Sequence, residues 1–216
     1  MSTSEAGTVR MMATVGVAGL VSGLAVVGIF LITKPRIERN RIEALEAAIF
    51  RVLEGAQTRQ AFVVVDEGLA SYESADGGLP GVEIVYAGYD AAGTLLGFAI
   101  PAQGAGFQDT IKLIYGYDAQ KKRVVGMEVL ESRETPGLGD KIIKDTHFVE
   151  NFRDLAVEPE IVLVKETPDR NNQVDAISGA TISSRAVVKI INQSNSRWRD
   201  RLALAVAPLS GGGGAQ

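Results

Sequence analysis

The chain has 216 residues, 46% of them hydrophobic and 22% charged, enough for one globular domain plus a modest extra segment. A formal net charge of −4 and a pI near 5.2 leave no basic stripe for tracking phosphates, which excludes nucleic acid as a partner. Cysteine is absent, which excludes disulfides, thiolate-held iron–sulfur clusters, thioether-bound haem and a cysteine nucleophile, so electrons moved by this protein must ride on an organic cofactor.

Residues 1–10 form a short flank. From Met11 to Ile32 no residue is charged, and Val, Ala, Leu, Ile and Gly dominate. About 22 helical residues span roughly 33 Å, enough to cross a bilayer core. The run is apolar on every face, which separates it from a half-buried helix of a soluble domain. It ends in Ile32-Thr33-Lys34-Pro35-Arg36 with no small-residue cleavage site, so residues 11–33 are predicted to be a retained transmembrane anchor. Arg10 precedes the span, whereas Lys34, Arg36, Arg39 and Arg41 follow it. A positive-inside count therefore places the following domain in the cytoplasm.

Residues 34–55 read as a helical stalk. Ile42, Leu45, Ile49 and Leu53 recur at spacings of three and four, and Gly55 supplies a stop. The main domain then occupies residues 56–206. Its predicted strands are Val82–Ala87, Thr94–Ile100, Ile111–Tyr115, Arg123–Leu130 and Glu160–Lys165, separated by turns at Tyr89–Gly93 and Tyr117–Gln120. Gly88-Tyr89-Asp90-Ala91 and Gly116-Tyr117-Asp118-Ala119 echo each other, and each leads into a strand holding a glycine, Gly97 or Gly126, which predicts two similar hairpins. Helices are expected over Lys141–Leu155 and Ser183–Leu204, and residues 207–216 form a flexible glycine-rich tail. Strands and helices are partly segregated, which makes the domain α+β. The single histidine, His147, lies in a predicted helix without a second histidine, and no metal site is expected.

The segment Asp175-Ala176-Ile177-Ser178-Gly179-Ala180-Thr181-Ile182-Ser183-Ser184 sets a glycine turn and several hydroxyls before an apolar-periodic helix beginning near Arg185. Helix N-termini carry unpaired N–H groups and favour phosphate, so an anion site fits here. A plain helix start capped by Ser178, Thr181 or Ser183 fits as well. Upstream, Glu134-Thr135-Pro136-Gly137-Leu138-Gly139-Asp140-Lys141 lacks helix or strand periodicity and reads as a loop that a planar ring can approach closely. A second glycine-rich loop, Gln103–Asp109, offers either the same service or an ordinary turn. Leu138 and Phe107 are candidates to pack on such a ring. Glu134 and Asp140 also form a possible acid/base pair, but nothing else in the sequence supplies a bond-breaking site, so a structural or surface role is assigned to them and no catalytic residue is expected.

Asp175 through Thr181 resembles the Asp-x-x-Ser/Thr-Gly-Ala-Thr flavinylation motif of FMN-binding domains in Rnf electron-transport complexes and Na⁺-translocating NADH:quinone reductases, and Glu134 to Lys141 is similar to a second signature of that family. The resemblance covers most of residues 10–205 and is nearest to the Rnf G subunit in length. It implies an α+β FMN-binding domain with one N-terminal transmembrane helix. It further implies FMN joined covalently, through its phosphate, to the hydroxyl of Thr181, with Asp175, Ser178, Gly179 and Ala180 as recognition elements and Glu134, Thr135, Gly137 and Leu138 around the cofactor.

A threonine hydroxyl is a weak nucleophile without a base, and none is evident in the motif. The resemblance supplies a separate flavin transferase that uses FAD as donor. The chain would then serve as an electron-transfer subunit of an ion-translocating ferredoxin:NAD oxidoreductase, working with other membrane and peripheral subunits. The resemblance also implies a bacterial inner membrane with the flavin domain on the periplasmic face, against the charge count. No GxGxxG strand-turn-helix fingerprint suggests NADH binding by this chain. Three other readings stay open on the same residues: the C subunit of a Na⁺-translocating NADH:quinone reductase, an anchored flavin-dependent regulatory or sensor module outside any pump, and a scaffold with no cofactor.

Overall fold

The computed structural model describes residues 3–65, 68–72 and 83–210. The chain divides into two compact units, Met1–Glu43 and Ala44–Gln216. Helix α1 (Thr3–Val52) supplies all of the first unit described and the opening of the second. Residues 3–10, expected as a flank, belong to this helix, and the anchor and the stalk are not separate elements.

In the first unit the apolar window is fully exposed, so it has no protein core to join. Among the described residues α1 is the one helix long and apolar enough to cross a membrane. Two of its hydroxyls bond back to the helix: Thr14 Oγ1 donates to the Arg10 carbonyl at 2.8 Å and Thr33 Oγ1 to the Ile29 carbonyl at 2.5 Å, which satisfies both donors without an outside partner. Pro35 lies inside the helix and removes one backbone donor.

The second unit is built on a seven-stranded antiparallel sheet. Its strands are β1 (Thr58–Val65), β2 (Gly68–Ser71), β3 (Ile84–Tyr89), β4 (Leu95–Ala105), β5 (Thr110–Asp118), β6 (Arg123–Glu131) and β7 (Leu155–Ala156), in the order β2-β1-β3-β4-β5-β6-β7. Short helices α2 (Lys141–Lys144) and α3 (Thr146–Glu150) follow β6, a parallel pair β8 (Val162–Val164) and β9 (Gln173–Asp175) comes next, and α4 (Thr181–Ser210) closes the described chain.

Both faces of the sheet are covered. The end of α1 lays Ala48, Ile49, Val52 and Leu53 on one face against Ala61, Tyr86, Ala99 and Ile114. On the other, Val187, Ile190, Ile191, Trp198 and Leu202 of α4 pack with Phe98, Ile100, Leu113 and Tyr115. The Tyr115 hydroxyl donates to Ser194 Oγ at 3.0 Å, satisfying a phenol that burial drives far above its ordinary pKa.

The echoing glycines are explained by α1. The β3–β4 hairpin pairs Gly88 with Gly97, and the β5–β6 hairpin pairs Gly116 with Gly126, each with a register shift one residue on. A Cβ on Gly116 would stand 2.2 Å from the Val52 carbonyl oxygen, and one on Gly88 would stand 2.6 Å from Leu53 Cδ1. The two equivalent hairpins thus form a flat bed for the last turn of α1.

Some expectations are corrected. Lys141–Leu155 is two helices, because Asp145 turns extended (φ −81°, ψ 102°) and its side chain caps the second by accepting the Phe148 N–H at 3.2 Å. The last helix starts at Thr181, not near Arg185, and runs to Ser210, so residues 207–210 of the expected tail are helical. Residues 211–216 of that tail lie outside the described residues. Strands β1, β2, β7 and β9 were not foreseen.

Candidate functional site

Three segments of the second unit converge on one carboxylate. The loop leaving β6 carries Glu134, which is buried, and the loop from β4 to β5 and the first turn of α4 both bond its carboxylate. Its Oε1 accepts the backbone N–H groups of Phe107 at 3.0 Å, Gln108 at 2.9 Å and Asp109 at 3.5 Å. Its Oε2 accepts the Ser183 hydroxyl. Burial alone would push this carboxyl up, but the Ser183 hydroxyl and the three N–H donors outweigh it and hold the group below the usual carboxylate range. Glycines allow the close approach: a Cβ on Gly106 would sit 2.5 Å from Glu134 Oε1, and one on Gly139 would sit 2.8 Å from both Glu134 Oε2 and Ser183 Oγ. Thr135 Oγ1 adds a bond to Gln108 Oε1 at 2.9 Å, lacing the first two loops together. Asp140 is engaged separately, 2.5 Å from Lys144 Nζ, so it makes no acid/base pair with Glu134.

The start of α4 resolves what its hydroxyls do. The Ala180 carbonyl accepts the first helical bond, from the Ser184 N–H at 2.9 Å, which puts Ala180 at the cap position. None of Ser178, Thr181 and Ser183 caps the helix. Ser183 and Ser184 are buried, and both hydroxyls are taken: Ser183 donates to Glu134, and Ser184 donates to the Ala180 carbonyl at 3.0 Å while accepting the Ile177 N–H at 3.2 Å. Among the described residues nothing bonds the hydroxyl of Thr181, which is half-buried on the first turn. The N–H groups of Thr181, Ile182 and Ser183 have no acceptor within the helix, so three donors and a hydroxyl stand at one end of a 30-residue helix.

Around this helix start the surface is apolar where a surface normally is not. Phe107 is 64% exposed, Leu138 51% and Ile182 54%, one from each of the three converging segments. Leu138 stands over the glycine turn, 3.8 Å from where a Cβ on Gly179 would be. Gly179 itself adopts φ +83°, a left-handed turn that aims the chain into α4. Thr135, Gly137 and Leu138 are therefore on the loop beside Ser178, Gly179, Ala180 and Thr181. Asp175 is at the end of β9, its backbone N–H held by Asn151 Oδ1 at 3.1 Å, six residues before Thr181. Ile182 and the tie between Ser183 and Glu134 were not singled out from the sequence. No periodicity links a loop carboxylate to a serine 49 positions away, whereas an apolar residue beside a hydroxyl at a helix start is a signal that was available.

This donor set fits a phosphate at the helix start with a flat apolar ring system beside it, the two halves of a flavin mononucleotide. In agreement, the family model described as "FMN-binding domain" matches residues 106–195, from the Glu134-bound loop through the first half of α4. Structures of the Shewanella oneidensis protein NqrC (TM-score 0.64, 17% identity, 77% of this chain and 99% of that one) and of the C subunit of a Na(+)-translocating NADH-quinone reductase from Parabacteroides distasonis (TM-score 0.58, 22% identity, 76% and 94%) share the fold. The chain is an α+β FMN-binding-domain protein.

Sequence relatives narrow the class. The G subunit of the ion-translocating oxidoreductase complex of Methanosarcina acetivorans is 33% identical over 153 residues, covering 68% of this chain and 78% of that protein. The chain belongs to this G-subunit family. Its alignments with bacterial members are shorter. They cover 42% of the Aliivibrio fischeri protein at 40% identity, and 49% of the G subunit of the Na(+)-translocating ferredoxin:NAD(+) oxidoreductase complex of Acetobacterium woodii at 30% identity, about half of each.

Proposed function

We propose that the chain is a membrane-anchored electron-transfer protein of a larger complex, with one FMN joined through its phosphate to Thr181 Oγ1. One observation carries the attachment point: of the three hydroxyls on the first turn of α4, those of Ser183 and Ser184 are buried and spent on internal bonds, and that of Thr181 is not. The N–H groups of Thr181, Ile182 and Ser183 would stabilise the phosphate charge, and Leu138, Phe107 and Ile182 would flank the ring. Glu134 and Thr135 would fix the two loops that present these side chains. Asp175, Ser178, Gly179 and Ala180 would be read by the enzyme that installs the cofactor.

FMN exchanges one or two electrons with neighbouring carriers, and the chain holds and presents it. The buried Glu134 is committed to four bonds, and among the described residues no base is bonded to the Thr181 hydroxyl, which supports maturation by a separate flavin transferase. With FAD as donor, the Thr181 Oγ–P bond would form as the P–O bond to AMP breaks, AMP leaving with the electron pair and the hydroxyl proton passing to a base on the transferase. Membership of the G-subunit family supports a place in an Rnf-type ferredoxin:NAD oxidoreductase beside other membrane and peripheral subunits. Residues 11–33 would cross the bacterial inner membrane, 34–55 would lead out of it, and the flavin domain at 56–206 would lie on the periplasmic face.

Cleavage after Arg170 and Arg185 releases residues 171–185, which contain Ser178, Thr181, Ser183 and Ser184 together. Fragmentation mass spectrometry of that peptide, from protein coexpressed with a flavin transferase, should find one FMN on Thr181. The modification on any of the three serines would reject the assignment.

A further inference from the structure

Among the described residues, most of the β6 edge of the sheet is left open. Strand β7 pairs with β6 only at Arg123↔Ala156 and Val124↔Leu155. Beyond Val124, among the described residues, no strand neighbours the outer side of β6 and no hydrogen bond reaches its outward backbone groups between Gly126 and Leu130. In an antiparallel strand with a single neighbour, every second residue turns both its N–H and its C=O to the empty side, a template for another strand.

This edge does not lie flat on the surface. It runs along a cavity of about 360 Å³ that wraps round it from one face of the sheet to the other. Val52 and Val125 line it on the α1 side, and Ile142, Ile143 and Val149 on the α2–α3 side. Its rim carries two ion pairs, Arg51 with Glu128 at 2.6 Å and Arg153 with Glu54 at 3.5 Å. Ile143 is 48% exposed.

We infer that the β6 edge accepts an extended segment of a neighbouring subunit as an added strand. Period-2 alternation dictates the segment's chemistry. Side chains turned toward Ile142, Ile143 and Val149 are apolar, and those turned toward the α1 side are polar or charged and meet a rim that offers both signs. A second copy of this chain is a poor occupant. Pairing β6 with its own copy would drive the α1 and α2–α3 walls of one groove into those of the other, whereas a lone extended segment enters between them. The inference rests on this chain acting within an assembly, which copurification of further subunits with the full chain tests separately.

Because the chain has no cysteine, a single one is a unique handle. Full-length Ile143→Cys carrying a thiol-linked photocrosslinker, in membranes that hold the assembled complex, should form a crosslink to a different subunit. Ala92→Cys, in the β3–β4 turn, should not. Hydrogen exchange supplies a measurement free of any substitution: amides within residues 126–130 should slow at least tenfold in the purified complex relative to the isolated full chain in detergent. A crosslink from Ile143→Cys to a second copy of this chain, equal crosslinking from both positions, or unchanged exchange at 126–130 in a complex shown to be intact would each overturn the inference.

Discussion

Glu134 holds the site together through charge-assisted bonds that a neutral side chain cannot reproduce in full. Glu134→Gln keeps the shape and one acceptor oxygen but loses the anion, and should lower stability by about 1–3 kcal/mol in denaturant unfolding. Glu134→Ala, which strands donors on four residues, should cost more. The pH dependence has a defined sign. The folded-state pKa of Glu134 is depressed, so its contribution is fully present above the ordinary value of 4.5 and is lost as pH falls through the lower folded value. The stability gap between wild type and Glu134→Gln should therefore narrow on acidification below about pH 4.5, and a gap that stays constant or widens would mean that the carboxylate is not what ties the loops. At Thr181 the serine variant keeps the oxygen and drops one methyl group. It should retain the fold and some covalent flavin, the remaining deficit measuring how far the transferase reads beyond the hydroxyl.

At the scale of elements, the glycine bed under α1 makes the sharpest prediction. Gly116→Ala aims a methyl at the Val52 carbonyl, 2.2 Å away, and backbone on both sides cannot yield easily. A loss of about 1–3 kcal/mol or more is expected, against a much smaller effect for alanine at the exposed Gly7, where nothing lies within 4 Å. These hairpins were legible because each carries a Gly-Tyr-Asp-Ala turn and a partner glycine, but the reason for the glycines was not, since the helix that rests on them is over 60 positions away from Gly116 and Gly126. Strand β1 escaped for a different reason. Ala61 and Phe62 are adjacent and both buried, because the sheet is covered on two faces and its strands lose the alternation that marks a half-exposed one. The break at Asp145 was hidden by an apolar pattern that runs through Ile142, Ile143, Phe148, Val149 and Phe152 as if one helix carried it. Thr181 and Leu138 were singled out through motifs, whereas the bond of Ser183 to Glu134 emerged only when three distant segments met.

For the whole molecule, the division near Glu43 states where the anchor can be removed. A chain beginning at Ala44 keeps Ala48, Ile49, Val52 and Leu53 on the sheet and should be soluble and folded without detergent. One beginning at Thr58 uncovers that face, and at roughly 1.5–3 kcal/mol for each large apolar side chain it should fail to fold stably. Circular dichroism melts of the two proteins compare these outcomes directly. Orientation is a separate matter, since Lys34, Arg36, Arg39 and Arg41 argue for a cytoplasmic domain and the family resemblance argues for the periplasm. Protease added to cells with a permeabilised outer envelope should digest the domain if the periplasmic placement holds, and full protection would restore the charge count. The central claim, a flavin bonded to Thr181, is tested most directly by ultraviolet fluorescence of the denatured protein on a gel after coexpression with a flavin transferase. The wild type and Ser183→Ala should fluoresce and Thr181→Ala should not, with a native circular dichroism spectrum in all three. A fluorescent Thr181→Ala band, or a dark Ser183→Ala band from folded protein, would contradict it.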